Sequence, residues 1–186
     1  VGDAIHHATF QVASIMTTAG FSTVDFDMWP AFSKTILVVL MCIGACAGST
    51  GGGMKIARVV LLFKGVRRNV KQALYPQKVQ VIRMNGKVVD ERTISTTNAF
   101  LAAYVIIVIF SILIISLDNF SLTTNLSAVM ACFNNIGPGL DAVGPMCNYS
   151  GYSILSKLVL ITDMLAGRLE IFPILVLFNP SAWKRR

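Results

Sequence analysis

The sequence predicts an all-α membrane protein built from a repeated unit of span, short re-entrant helix, glycine-centred loop and span, with a small cytoplasmic β-hairpin. Three observations carry that prediction. The 186 residues are 54% apolar and 13% charged, with a mean hydropathy of +0.67, a balance shifted from soluble domains toward membrane proteins. A pattern of semi-polar segment, glycine-centred loop, acidic outer loop and Ser-Lys-initiated span occurs twice. Ten of the sixteen Lys/Arg residues fall between Lys55 and Arg92, and Lys184, Arg185 and Arg186 close the chain.

The first copy opens with segment 6–16, followed by Thr17-Thr18-Ala19-Gly20-Phe21-Ser22, an outer loop with Asp25 and Asp27, and an apolar run, 31–50, with Ser33-Lys34 near its start. The second copy has segment 122–133, then Asn134-Asn135-Ile136-Gly137-Pro138-Gly139, a longer outer loop with Asp141, and a run 153–178 that carries Ser156-Lys157. From each Ser-Lys the frames continue together, so that Met41 and Gly44 fall opposite Met164 and Gly167. Ahead of the second copy stands the charge-free run 98–117, which at about 1.5 Å per residue matches a hydrocarbon core roughly 30 Å thick. The corresponding span of the first copy is expected upstream of this chain. The division that follows is 1–64, the pore helix, filter and broken second span of one repeat; 65–95, a cytoplasmic linker with the hairpin; and 96–186, a complete last repeat.

The segments before the two loops are too short and too polar to cross a bilayer, so they should enter and stop partway. Non-helical backbone at membrane depth is tolerated only where protein buries it or water lines it. A half-helix followed by a run of carbonyls is the arrangement by which K⁺ filters replace an ion's hydration shell, so the units are of the K⁺-channel-like kind. The candidate coordinating residues are Thr17, Thr18, Ala19 and Gly20 in the first loop and Asn134, Asn135, Ile136 and Gly137 in the second. K⁺, as the transported ion, is the only metal expected, and no cofactor is.

Gly44, Gly48, Gly51, Gly52 and Gly53 interrupt an apolar run, where glycine favours unwinding; they form a candidate gate below the filter. The same stretch lacks the Gly-Lys-Ser/Thr of a phosphate loop and follows an apolar span instead of a core strand. Arg168 is a charge within the last span and must face a partner or water. Asp163 and Glu170 are not one helical turn away from it. Asp163 also offers a proton relay, which keeps a proton- or sodium-coupled symporter open as the alternative. With no Ser/His/Asp set or paired carboxylates, an intramembrane enzyme is the weakest reading and no enzymatic activity is expected. His6 and His7 point about 100° apart on a helix and cannot share one metal. Cys42, Cys46, Cys132 and Cys147 read as small apolar residues, not as a disulfide framework.

The clustered cations place the linker and the C-terminus in the cytoplasm by the positive-inside rule. No aromatic interleaving accompanies them, so nucleic acid is not an expected partner. Within the linker, Asn85-Gly86 between short β-prone runs is a hairpin signal, and the basic edge suits docking of a soluble partner.

At Thr17-Thr18-Ala19-Gly20-Phe21-Ser22-Thr23, at Asn134 to Gly139, in the run Gly44 to Lys55 and at Gly167-Arg168, the chain resembles the Trk/Ktr/HKT superfamily of potassium transporters. It is most similar to the membrane subunit of bacterial Trk systems. The resemblance implies four span–pore–span units around one ion path, of which this chain holds the last one and a half to two. It also implies a multi-pass protein of the bacterial inner membrane, a membrane homodimer, a cytosolic nucleotide-binding regulatory subunit, and contact of Arg168 with the glycine-rich loop. Asn134-Asn135 departs from the Thr-Thr of the first copy.

Overall fold

The computed structural model describes residues 2–44, 52–77, 80–169, 171 and 176. Helices occupy the runs free of proline and clustered glycine. The first, α1 (Gly2–Met16), takes in the expected segment and begins earlier. A single 3₁₀ turn, Phe26–Met28, follows, its start held by the Asp25 carboxylate accepting from the Asp27 amide at 3.0 Å. Pro30 then precedes α2 (Ala31–Cys42), since proline suits a helix start but not its interior.

The expected span 31–50 is helical only as far as Cys42, which gives about 18 Å of helix, short of a hydrocarbon core. The chain leaves α2 as β1 (Ile43–Gly44), which pairs in parallel with β2 (Met54–Lys55) in the register Ile43 to Met54 and Gly44 to Lys55. This bridge closes the neck of the glycine-rich run. Its physical reason is that extended backbone on either side of the glycines satisfies its amides across the neck once the helical ladder stops. Helix resumes as α3 (Ile56–Leu74).

The loop expected from Gly65 is shorter than the sequence suggested, because α3 runs through that glycine to Leu74. Nothing lies within 4 Å of where a Gly65 side chain would start, and Arg67, Arg68 and Lys71 are good helix formers. Pro76 forbids a longer helix. The expected hairpin is present, with β3 (Arg83–Met84) antiparallel to β4 (Lys87–Val88). Asn85 at φ 51° and Gly86 at φ 79° supply the two left-handed positions of a type I′ turn.

Next comes α4 (Glu91–Ile115), prolonged by a 3₁₀ turn to Asp118. Glu91–Asp118 is, among the described residues, the one helical stretch long and apolar enough to cross a membrane. The short helix α5 (Leu122–Phe133) has the bounds expected from the sequence, with Ser121 Oγ accepting from the Thr124 amide at 3.1 Å. Finally α6 (Ile154–Leu169) covers the first part of the expected span 153–178, most of whose remainder lies outside the described residues.

Packing unites the second unit around Phe100, Tyr104, Val129, Phe133 and Leu160 of α4, α5 and α6. A separate cluster joins the units, burying Ile136 and Leu140 of the second loop among Ile15, Phe26, Leu37 and Met41 of the first. Leu61, Ile82 and Ile94 hold α3, hairpin and α4 together, with the Arg58 guanidinium 4.1 Å over the Phe100 ring. Ile106, Phe110 and Leu113 of α4 and Leu158, Ile161 and Leu165 of α6 are exposed, where a helix facing water carries polar residues.

Candidate functional site

The site is built on two helix ends of identical design. At the end of α1, the Thr17 amide donates to Ala13 O at 3.0 Å, Thr18 to Ile15 O at 3.1 Å and Ala19 to Ser14 O at 2.9 Å. At the end of α5, Asn134 donates to Met130 O at 3.1 Å, Asn135 to Cys132 O at 3.0 Å and Ile136 to Ala131 O at 2.8 Å. Both sets are Schellman endings, which need a left-handed residue at the position after the cap. Thr18 and Asn135 fill it, each at φ 56°. Asparagine tolerates that conformation, but a β-branched threonine is a true outlier there, a kind of strain that clusters at functional sites.

Two residues further on, Gly20 at φ 77° and Gly137 at φ 105° turn left-handed again. The loops meet at this point: a Cβ on Gly20 would stand 2.1 Å from the Ile136 carbonyl oxygen. Each loop thus receives the C-terminal, partially negative end of a short helix, with its unpaired carbonyls, which favours a cation. The Gly137 carbonyl accepts from the Tyr149 hydroxyl at 2.7 Å, so this oxygen is tied to the outer loop. Farther out, Ser121 Oγ and Thr124 Oγ1 each donate to Asp141 Oδ2 at 2.6 Å. Those hydroxyls hold the Asp141 carboxyl below the usual carboxylate range and fasten the outer loop over the start of α5.

Beneath the second loop, the asparagine pair gathers three elements. Asn134 is fully buried, and its Nδ2 lies 2.9 Å from Met130 O and 3.2 Å from the Tyr104 hydroxyl of α4. Asn135 Nδ2 donates to Met164 O of α6 at 3.1 Å. The described part of the glycine-rich run packs directly on this pair: a Cβ on Gly53, itself at φ 77°, would stand 1.9 Å from Asn134 Oδ1, and one on Gly52 2.8 Å from Asn134 O. Gly167 of α6 also approaches so closely that a Cβ would be 1.7 Å from Phe133 O.

Of the expected gate residues, Gly44, Gly52 and Gly53 therefore lie around the neck and beneath the second loop, whereas Gly48 and Gly51 fall outside the described residues. Arg168 is exposed in the last turn of α6 and makes no hydrogen bond or ion pair among the described residues. The residue beside it, Gly167, makes the close approach.

A family model described as "TrkH: Cation transport protein" matches residues 1–185. The chain belongs to the TrkH family. It is 41% identical over 183 residues to the Trk system potassium uptake protein TrkH of Escherichia coli K12, covering 97% of this chain and 37% of that protein. It is 30% identical to the Trk system potassium uptake protein TrkG of the same strain over 178 residues, 96% of this chain and 36% of that protein. The crystal structure of the potassium transporter TrkH from Vibrio parahaemolyticus superposes with a TM-score of 0.86 at 38% identity, covering 98% of this chain and 38% of that one. This TrkH-family chain thus spans a little over a third of the length of the relatives it matches.

The sequence singled out Asn134 and Asp163 but not their partners Tyr104 and Ser111, nor Tyr149. Tyr104 and Asn134 form a polar contact inside an apolar cluster, and the one available signal was a tyrosine within a membrane-length run. Tyr149 gave none. Asp163 lies only 2% exposed on α6, accepting from Ser111 Oγ of α4 at 2.8 Å, while its Oδ2 has no hydrogen-bond partner among the described residues.

Proposed function

We propose that this chain forms part of a potassium pathway across a membrane, with the backbone of Thr17, Thr18, Ala19 and Gly20 and of Asn134, Asn135, Ile136 and Gly137 as two segments of a selectivity filter. The observation that carries this reading is the pair of Schellman endings, with left-handed backbone at matched positions and the two loops in contact at Gly20. Two short helices whose C-terminal loops meet suit a cation stripped of its hydration shell. The names of the relatives, potassium uptake proteins, agree with K⁺ as that cation. Upstream units of the same polypeptide complete the ring, and the whole works as a homodimer in the bacterial inner membrane with a cytosolic nucleotide-binding subunit near the hairpin. The basic linker and the C-terminus face the cytoplasm.

Gly20→Ser and Gly137→Ser in the full-length protein test the filter. Each replaces a left-handed glycine, and each is expected to reduce K⁺/Na⁺ discrimination in flux assays more than it lowers folded yield. Unchanged selectivity in both variants would remove the loops from the filter.

The glycine run from Gly44 to Gly53 and Arg168 form the gate in this reading, because the described end of the run, Gly52 and Gly53, packs on Asn134 and Asn135. An exposed guanidinium, with five N–H donors in a planar fork, repels cations and donates to freed carbonyls. Arg168→Ala should raise basal K⁺ flux per folded protein in vesicles, with Arg168→Gln intermediate; a fall in both would make Arg168 a structural charge instead.

Coupled symport is the second reading, favoured by the buried Asp163, one oxygen of which has no hydrogen-bond partner among the described residues. Asp163→Asn should abolish the response of K⁺ flux to an imposed pH gradient if protons are coupled. A channel shows no such response in either form.

A further inference from the structure

The same α3 that leaves the glycine-rich neck carries a second candidate site, outside the ion path. Lys64, Arg67, Arg68 and Lys71 of α3, with Gln80 and Arg83 of the hairpin arm, line a cavity of about 260 Å³. Lys64 Nζ donates to the Arg83 carbonyl at 2.7 Å, which fixes the hairpin against the helix and holds the cations around one space. Among the described residues a single carboxylate, Glu91, pairs with this group, through Arg68 Nη1. Arg68 Nε is buried and has no acceptor among the described residues. Five cations around one space against one carboxylate leave the cavity strongly positive, which suits an anion.

The chemistry of that anion is indicated by the adjacent face of the helix. Val60, Phe63, Val66, Val70 and Leu74 are exposed and recur at intervals of three and four residues, which aligns them along one face of α3. A basic face beside an exposed apolar face on one helix is the pattern of membrane-interface helices, and basic pockets next to spanning helices take lipid head groups. We propose that this cavity binds the phosphate of an anionic phospholipid, whose acyl chains cover the Phe63 face of α3. The proposal goes beyond the potassium pathway and needs only that the chain sits in a bilayer; binding, not flux, is its readout, so its failure leaves the filter reading untouched.

The test uses the full-length protein in detergent, titrated with dioleoylphosphatidylglycerol, dioleoylphosphatidylcholine or inorganic phosphate while the melting midpoint is followed. Phosphatidylglycerol is expected to stabilise it at concentrations where the other two do nothing. Arg67→Gln with Lys71→Gln spares the Arg68 pair with Glu91 and should weaken phosphatidylglycerol binding by about 30-fold, roughly fivefold for each cation neutralised beside an anionic head group. Arg67→Lys with Lys71→Arg keeps the charge and should retain binding, which guards against a folding defect. Equal stabilisation by phosphatidylcholine, or unchanged phosphatidylglycerol affinity in the neutralised variant, overturns the proposal. Equal potency of inorganic phosphate would assign a free anion and also overturns it.

Discussion

The two short helices end in the same three hydrogen bonds, yet their surroundings differ sharply. Three of the fifteen residues of α1 are buried, against eight of the twelve in α5. The second helix is enclosed by α4, α6 and the first unit, whereas no described helix does for α1 what α4 does for α5. The polar pair that follows each helix differs accordingly. Thr17 Oγ1 turns back to Ala13 O of its own helix at 2.8 Å, while Asn134 and Asn135 reach Tyr104 of α4, Met164 of α6 and the face of Gly53. Backbone design is therefore shared between the copies, and side-chain wiring is not. The second copy is where the described end of the glycine-rich run, Gly52 and Gly53, meets the loop.

The largest effect that would break this comparison comes from glycines that exist for close approach. Gly167→Ala and Gly53→Ala place a methyl within 2 Å of Phe133 O and Asn134 Oδ1. Each should destabilise by at least the roughly 1–3 kcal/mol typical of overpacking, the second with an added left-handed penalty. Fluorescence-detected size exclusion after a heat step measures it. Gly65→Ala, where nothing lies within 4 Å, is the matched control and should be neutral or slightly stabilising. Wild-type behaviour of all three variants would mean that the run does not seat on the asparagines.

A smaller effect sharpens the contrast by exchanging the pairs. Asn134→Thr removes a buried amide with two polar neighbours and leaves the Tyr104 hydroxyl short of a partner, at a cost of about 1–3 kcal/mol. Thr17→Asn, at an exposed position bonded only within its own helix, should stay within roughly 0.5 kcal/mol of wild type. Thermal melts of the full-length protein read both values. Equal losses would show that the copies are wired alike.

The smallest effect belongs to the outer loop of the second unit. Hydroxyls of Ser121 and Thr124 depress the Asp141 pKa, so the ionised carboxylate contributes stability above its unfolded value, near 4, and loses it as pH falls through the depressed folded value. Asp141→Ala should therefore lower the melting midpoint slightly at neutral pH, and the difference should close only in acid below about pH 4. Asp141 is exposed, so solvent screens its contribution to stability; a gap that persists at pH 3 would point to packing instead of charge.

Much of the architecture was legible because it rests on local chemistry. The bounds of α5, the Asn85-Gly86 turn and the helix stop before Gly44 follow from propensity, turn residues and glycine clustering within a few positions. The internal repeat exposed both loops together, which neither hydropathy nor a single glycine does. The helix through Gly65 was missed because one glycine costs only about 1 kcal/mol against a long basic helix that the sequence read as linker.

What the sequence by itself determined is the repeated unit, the residues of its two loops and the family to which those loops belong. Only the tertiary structure decided which copy carries the contacts. The bridge from Ile43 to Met54, the seating of Gly53 on Asn134, and the engagement of Gly137 by Tyr149 join residues from different elements. Such contacts depend on how closely backbones approach once helices have packed, and a glycine reads the same in sequence whether it faces open space, as at Gly65, or a carbonyl oxygen, as at Gly167.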